Sequence, residues 1–419
     1  MKLALCWLAA MLFVLQSNAL AQDGLAAPTP LTALLAEAES SNTQIAAAEH
    51  AARAARQVAP QKTALPDPKL TLQQFSVGSP RPFAGYTNSD FAYIGIGGSQ
   101  ELPYPGKLRL RGQIAEREAD TEQTRVQVWK ANVDDSVKTT YVQIAYLQQA
   151  LGILKESQVL LDQLIQDATI HYEVGQGMQQ DVLQAQIQRT RIVRELTLRH
   201  QEIGRLQANL KGLLHRDQNS MDVVPEPLNE SAVGLSSAQL LELVRLHNPQ
   251  SQVDAAAVHT QDAQLASAKR EGNPDFALSY MYQNTDRKYR DYYMLTFDVR
   301  FPRKKRIDAE IAEAAEKLAQ SKQTLDANLQ QQLAEAQGQY VLVKSDGELL
   351  KEYREGLVPQ SQAAYRATLS AYGANKEQLT RVLTSLTDLL SLQLEVVKTV
   401  ADRETALAHL ETLTGASLR

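Results

Sequence analysis

The side chains best suited to chemistry are scattered along this chain. Its seven histidines (His50, His171, His200, His215, His247, His259 and His409) form no close helical pair, so isolated helix-surface positions explain them better than a shared metal ion. The single cysteine, Cys6, lies in an N-terminal leader expected to be removed. The mature chain is then expected to have no disulfide, thiolate or cysteine metal site. Met281 and Met294 could offer thioethers to soft metal ions, or serve as small side chains facing a lumen. Gly95-Ile96-Gly97-Gly98 lacks the third glycine of a nucleotide loop and falls in a strand pattern, which suits small residues packing across a sheet. Nucleophile-elbow, zinc and Walker patterns are missing. The sequence therefore points away from an enzyme and asks for no cofactor and no resident metal.

The elements around these residues are unusual in length. Lys2, the apolar run from Leu3 to Leu15 and the small-residue site Ala19-Leu20-Ala21 read as a signal peptide over residues 1–21. Beyond it no stretch approaches the ~18–20 apolar residues of a spanning helix. Net charge is -5 and mixed in sign along the chain, which gives no support for nucleic-acid binding. From Gly106 to Val174 runs proline-free sequence with a coiled-coil seam at Leu147, Leu151, Leu154, Gln158, Leu161, Ile165 and Ala168. One helix over that span would be about 100 Å long at ~1.5 Å per residue, far beyond what a compact core needs.

The sequence also repeats itself. Leu34-Leu35, Asn42 and Asp67-Pro68 recur as Leu240-Leu241, Asn248 and Asn273-Pro274, and Pro105-Gly106-Lys107 recurs as Pro302-Arg303-Lys304. The first repeat, residues 22–216, is expected to hold a helix over 32–64, strands over 69–77 and 91–101, a long helix over 106–174 and a return helix over 178–214. A linker follows over 217–236. The second repeat, residues 237–419, is expected to hold a helix over 237–271, strands over 275–283 and 292–301, a long helix over 304–371 kinked at Pro359, and a return helix over 376–414.

The second-repeat strands alternate most clearly. Phe276, Leu278, Tyr280, Tyr282, Tyr293, Leu295, Phe297, Val299 and Phe301 fall on one face, with Ser, Thr, Asp, Arg and Met between them. Strands of about ten residues match a tilted membrane strand. A soluble sandwich would need a second sheet that the helical remainder does not provide. The expected fold is therefore mainly α with a membrane β-barrel part whose apolar face meets lipid. Four strands cannot close a barrel of about eight or more, so several copies must pool them, whether as dimers or trimers.

Gln100-Glu101-Leu102-Pro103-Tyr104-Pro105-Gly106-Lys107-Leu108, Tyr172-Glu173-Val174-Gly175 and Asp181-Val182-Leu183-Gln184-Ala185, set in two helix–strand–strand–helix–helix halves, resemble the TolC-type outer-membrane efflux proteins. The Asp67-Pro68 and Pro105-Gly106-Lys107-Leu108 segments look most like their heavy-metal (CzcC/CusC-like) branch. The resemblance implies a homotrimer with a shared 12-stranded barrel in the outer membrane and a helical barrel in the periplasm. It also implies a periplasmic adaptor and an inner-membrane proton-driven pump of the RND type as partners. Drug export and type I protein secretion are the alternatives within that class; a periplasmic adaptor or a structural coiled-coil rod are the alternatives outside it.

Two groups of residues follow from the hairpin turns. Gly175 stands where a helix must reverse, a place that favours positive φ, and Asn375 holds the matching place in the second half. With Gln176, Gly177, Val182, Leu183, Tyr372, Gly373, Val382 and Leu383 they are, by the resemblance, the tips that dock the adaptor. The resemblance also puts a periplasmic gate just beyond the turns, where this chain has Asp181, Glu377, Arg381 and Thr384. A local Glu377–Arg381 pair at i,i+4 is the plainer reading of two of them. The run Arg303-Lys304-Lys305-Arg306 reads as an interfacial anchor.

Overall fold

The computed structural model describes residues 28–76, 81, 92–285 and 291–418. The signal peptide, Cys6, Phe91 and most of the two strand-connecting loops lie outside the described residues. The chain order is α1 (Leu31–Ser41), α2 (Thr43–Arg56), α3 (Val58–Thr63), β1 (Lys69–Phe75), β2 (Tyr93–Leu102), α4 (Lys107–Glu173) and α5 (Gln179–Leu213). The second half continues with α6 (Ser237–His247), α7 (Pro249–Glu271), β3 (Asp275–Asn284), β4 (Asp291–Arg300), α8 (Lys304–Glu352), α9 (Val358–Gly373) and α10 (Leu379–Thr414).

The first helix of each half is broken, where the sequence suggested one continuous helix. In the first half Asn42 interrupts: its Oδ1 accepts from the N–H groups of Gln44 (2.8 Å) and Ile45 (3.3 Å), which makes it the N-cap of α2. In the second, Asn248 Oδ1 accepts from Ser251 N–H at 2.8 Å and Pro249 opens α7, where its missing N–H costs nothing. A further end at Gln57 separates α2 from α3. At Pro359 the helix widens into a π turn, Tyr353–Leu357, before resuming as α9. A proline nitrogen cannot donate to the preceding turn, and the wider loop absorbs the gap.

The four strands form one antiparallel sheet in the order β1-β2-β3-β4. Its register places Leu72, Ile96, Tyr282 and Tyr293 in one row across the sheet. The next row on the other face is Thr71, Gly97, Met281 and Met294. Because successive side chains alternate, the sheet has one mainly apolar face and one mainly small or polar face, the latter also carrying Phe75, Tyr93 and Tyr292.

The chain divides into two compact units. One comprises residues 28–37, 140–229 and 354–401; its core is Leu154, Leu161, Leu164 and Ala168 of α4 against Ala185 and Ile192 of α5, Tyr365 and Tyr372 of α9, and Leu379 through Leu389 of α10. These are coiled-coil seam positions, buried as knobs between neighbouring helices. Residues 217–223 lie along α5: Gln207 exchanges two hydrogen bonds with the Val223 backbone, and the buried Lys211 ammonium donates to the carbonyls of Gln218 and Ser220. The second unit comprises the described residues of 38–139, 230–353 and 402–418 and contains the sheet. Its helical core is Leu240 and Val244 of α6, Leu333, Ala336 and Val343 of α8, and Ala406, Leu407, Leu410 and Leu413 of α10.

Candidate functional site

Two places combine exposure with chemistry: the sheet and the paired helix turns. On the apolar face of the sheet, Leu70 and Leu72 are each 74% exposed, Leu295 71%, Tyr293 66% and Phe297 61%. Phe276 and Phe297 stack at 5.6 Å, and Tyr282 and Tyr293 meet at 5.4 Å, so the face is a continuous aromatic and aliphatic surface. Leu278, Tyr280 and Val299 are exposed as well, Phe301 lies just beyond β4 at 75%, and Phe276 and Tyr282 are half-buried. On the opposite face Met281 folds over Gly97. A Cβ at Gly97 would come within 2.6 Å of the Tyr280 carbonyl oxygen, which cannot move aside as the Met281 sulfur can, so this strand position requires glycine. Met294 stands directly across from Met281. Among the described residues no group of three or more His, Cys, Asp or Glu side chains is placed to hold a metal ion.

The base of the sheet is tied to the helices by a lysine whose role the sequence concealed. Lys107, at the start of α4, is 2% exposed. Its ammonium lies 2.9 Å from Asp275 Oδ1 and 3.1 Å from Glu271 Oε2, and donates to the Asn273 carbonyl at 2.9 Å. Asp275 Oδ1 also accepts from the Tyr104 N–H, and Arg111 pairs with Glu271 at 2.9 Å. Three donors of one ammonium are thereby satisfied, the condition for burying a charge. The result locks the β2–α4 junction onto the α7–β3 junction. The only signal in the sequence was the Pro-Gly-Lys triplet; Gly106 takes φ 94°, which lets the chain turn so that Lys107 points inward.

The helix turns are built alike. Gly175 (φ 72°) and Asn375 (φ 57°) hold the left-handed position. Gly175 N–H bonds Tyr172 O and Gln176 N–H bonds His171 O; Asn375 N–H bonds Tyr372 O and Lys376 N–H bonds Ala371 O. Both are Schellman caps, which satisfy the last carbonyls of a helix as it reverses. The turns touch: Asn375 Nδ2 donates to Gln176 Oε1 at 3.3 Å, and the His171 and Tyr372 rings stack at 5.3 Å. Gln176, Gly373 and Leu183 are exposed, and Val182 and Gly177 half-buried, whereas Tyr372, Val382 and Leu383 are core residues at 8%, 0% and 5% exposure. Surface contact at the tips thus falls to the first-half turn and to Gly373 and Asn375. Val382 and Leu383 hold the hairpins together instead.

Near the turns Arg381 and Thr384 are exposed, and Asp181 and Glu377 half-buried. The local Glu377–Arg381 pair does not form, because α10 begins only at Leu379. Glu377 lies outside the helix, so the i,i+4 geometry is missing; it accepts from the Gln378 N–H instead. The basic run is exposed from Arg303 to Arg306, and Arg306 pairs with Glu310, one turn along. In the second unit a charged cleft forms around Asp134, Lys130, Lys138 and Glu411. Burial, and then Glu39, push the Asp134 carboxyl up to about 6. The adjacent acids Asp134-Asp135 in a helix were the sequence signal for it.

Residues 34–214 match the sequence profile of a family described as Outer membrane efflux protein. No curated protein matches the sequence. In fold, the likeness extends along nearly the whole chain. The outer-membrane channel OprN has a TM-score of 0.79 at 15% identity, covering 93% of this chain and 90% of its own. CusC gives 0.77 at 15% identity over 93% of each chain. VceC, an outer membrane protein of Vibrio cholerae, gives 0.75 at 15% identity over 93% of this chain and 97% of its own. No helix among the described residues is long and apolar enough to cross a membrane. The profile match is confined to residues 34–214, whereas the fold of these outer-membrane channels is shared along nearly the whole chain.

Proposed function

We propose that the chain is the outer-membrane exit duct of a tripartite efflux system, a passive conduit assembled from three copies. The observation that carries this reading is the apolar face of the sheet. A contiguous exposed surface of Leu, Tyr and Phe is rare on a soluble monomer and is stable against lipid. Three copies would supply twelve strands to one barrel, with the face bearing Thr71, Ser99, Gln283 and Thr296 turned to a lumen that hydrated solutes can cross.

The basic run supports the same placement. Lys304, Lys305 and Arg306 occupy the first turn of α8, where the helix dipole disfavours cations. Anionic lipid headgroups at the strand–helix junction offset that cost. The helices would form the periplasmic tunnel, and the turns at Gly175–Gly177 and Gly373–Asn375 would meet the adaptor. Energy comes from an inner-membrane proton-driven pump. Asp181, Glu377, Arg381 and Thr384 flank the turns and are assigned to the periplasmic mouth. For the cargo, the resemblance of the Asp67-Pro68 and Pro105-Gly106-Lys107-Leu108 segments to the heavy-metal branch favours metal cations.

Reconstitution of the purified, detergent-solubilised protein into planar bilayers tests the duct. Discrete steps of conductance are expected; a silent bilayer with inserted protein would refute the reading. Growth of a deletion strain on zinc, cobalt, copper or silver tests the cargo, with sensitivity to drugs alone pointing to the other branch.

A further inference from the structure

The closing turns of α10, residues 402–414, are packed on one side and ionisable on the other. Ala406, Leu407, Leu410 and Leu413 lie in the core with α6 and α8. Toward α4 the same segment presents His409, Glu411 and Thr412. Toward Asp346 of α8 it presents Asp402 and Arg403. We infer that this segment is a proton-operated clamp, tightened onto α4 and α8 in mildly acidic surroundings and loosened as they turn alkaline. The clamp lies apart from the sheet and the turns and does not depend on the duct reading.

Its first contact joins α10 to α4. His409 Nδ1 stands 2.8 Å from Asp135 Oδ1, and the Thr412 hydroxyl donates to the same oxygen at 3.3 Å. Glu335 of α8 adds a second negative charge beside the ring, while the other polar side chains of this cleft, Asn132, Asn248, Gln250 and Gln332, are uncharged. A protonated imidazole makes the contact an ion pair between helices; a neutral one leaves a single hydrogen bond. The hydrogen bond to Asp135, and then the charges of Asp135 and Glu335, hold His409 above the ordinary histidine range against the pull of burial.

Two carboxyl groups work in the same sense. Asp134 Oδ1 is buried without a hydrogen-bond partner, and Lys138, the cation one turn along, is drawn instead to Glu411 at 3.0 Å. Glu39 of α1 adds like charge, Lys130 and Lys138 of α4 oppose it, and His247 lines the cleft from the end of α6. Such an oxygen costs less to bury neutral than charged. On the other side of α10, Asp346 is raised by burial and then by Asp402, with Arg403 opposing. Arg403 is already engaged by Glu404 at 3.0 Å and by the Ser231 carbonyl at 2.7 Å. The helices are close there, since a Cβ on Gly347 would lie 3.7 Å from Arg403 Nε.

All three groups hold a proton more tightly in the folded chain than in the unfolded one, so all three act in one direction. The stability from Asp134 is complete below its ordinary 3.8 and is lost as pH rises through about 6. That from His409 is complete below its ordinary 6.5 and is lost at higher pH. Asp346 adds to the lower stage. Glu37 and Glu202, whose arginine partners lower them, act in the opposite sense elsewhere, so the clamp must be read locally. α10 runs unbroken from this segment back to Leu379, just beyond the second-half turn. Proton uptake at its base therefore restrains the helix that bears Arg381 and Thr384.

Amide exchange on the full-length protein in detergent tests the clamp, with residues 185–192 of α5 as reference. After correction for the intrinsic pH dependence of exchange, protection of residues 404–412 should fall about ten-fold or more from pH 5 to pH 8. Asp134→Asn with Asp346→Asn, which keeps the shapes and stays neutral, should remove the part of the fall below about pH 6.5. Adding His409→Asn, which offers Asp135 an uncharged donor, should leave protection level across the range. Unchanged protection from pH 5 to pH 8 in the native chain overturns the clamp, whether or not the variants fold. A fall that persists undiminished in the triple variant overturns it as well.

Discussion

Lys107 and Lys304 hold the same place in the two halves of the chain, at the first residue of a long helix just after a strand, yet their surroundings are opposite. Lys107 is 2% exposed and held by Glu271, Asp275 and a carbonyl. Lys304 is exposed, and the residue before its helix makes no side-chain cap. The difference lies in what stands beside each junction rather than in the lysines. The first half has the second half next to it, and the second half has an open edge. The two copies of the repeat fold alike but are covered unequally: Lys107 is enclosed, whereas Lys304 stays exposed.

Substituting the two lysines gives the largest expected contrast. Lys107→Met strands Asp275 without its bound cation, leaves Glu271 to Arg111 alone, and should cost about 3 kcal/mol in the urea unfolding of the solubilised protein. Adding Glu271→Gln and Asp275→Asn to that variant should restore most of the loss, because the penalty comes from unpaired charge. Lys304→Met should change the same transition by less than about 0.5 kcal/mol. Equal losses at the two positions would show that Lys304 is already covered and would break the comparison.

Smaller effects are expected at the helix breaks, where each half carries an asparagine cap. Asn42 caps α2 through Gln44 and Ile45. Asn248 caps α7 through Ser251 and also donates to the Leu413 carbonyl at 2.9 Å, which ties α7 to the end of α10. Asn248→Ala should cost about 2 kcal/mol or more, since a buried carbonyl loses its donor along with the cap, and Asn42→Ala at least the ~1 kcal/mol of its cap. Asn248→Asp separates the two parts, keeping the acceptor and removing the donor. If Asn248→Asp proves as stable as the native protein in thermal melts, the link to Leu413 contributes nothing.

These asymmetries explain what could be read from the sequence. β3 and β4 were legible because aromatic and polar residues alternate along them without interruption. β2 was harder, its Gly95, Gly97 and Gly98 giving no apolar signal; Gly95 and Gly97 make sense only with the β3 backbone and Met281 packed against them. The breaks at Asn42 and Asn248 were visible as repeated asparagines, but a cap is a backbone event inside an otherwise unbroken helical pattern. Least legible was exposure at the tips. Val182-Leu183 and Val382-Leu383 are the same pair in the same place, yet Leu183 is 51% exposed and Leu383 5%. Periodicity shows that a face is apolar; which neighbour covers it is decided by tertiary packing.

The turns themselves offer the finest comparison, since two residues there do one job. Both Gly175 and Asn375 take positive φ, and both are followed by an amide that bonds back to a helix carbonyl five residues earlier. Glycine reaches this conformation without steric cost, whereas asparagine does so with some strain. The strain at Asn375 is offset only by an exposed 3.3 Å contact to Gln176, which is weak at that length. Asn375→Gly should therefore tighten the second turn by a few tenths of a kcal/mol, and Gly175→Ala should loosen the first by about 1 kcal/mol. Amide exchange reads this locally: the Gln176 N–H should exchange about five-fold faster in Gly175→Ala, while the Lys376 N–H slows slightly in Asn375→Gly. If Asn375→Gly instead speeds exchange at Lys376, the amide contact to Gln176 outweighs the backbone strain, and the second turn is held by its neighbour rather than by its own cap.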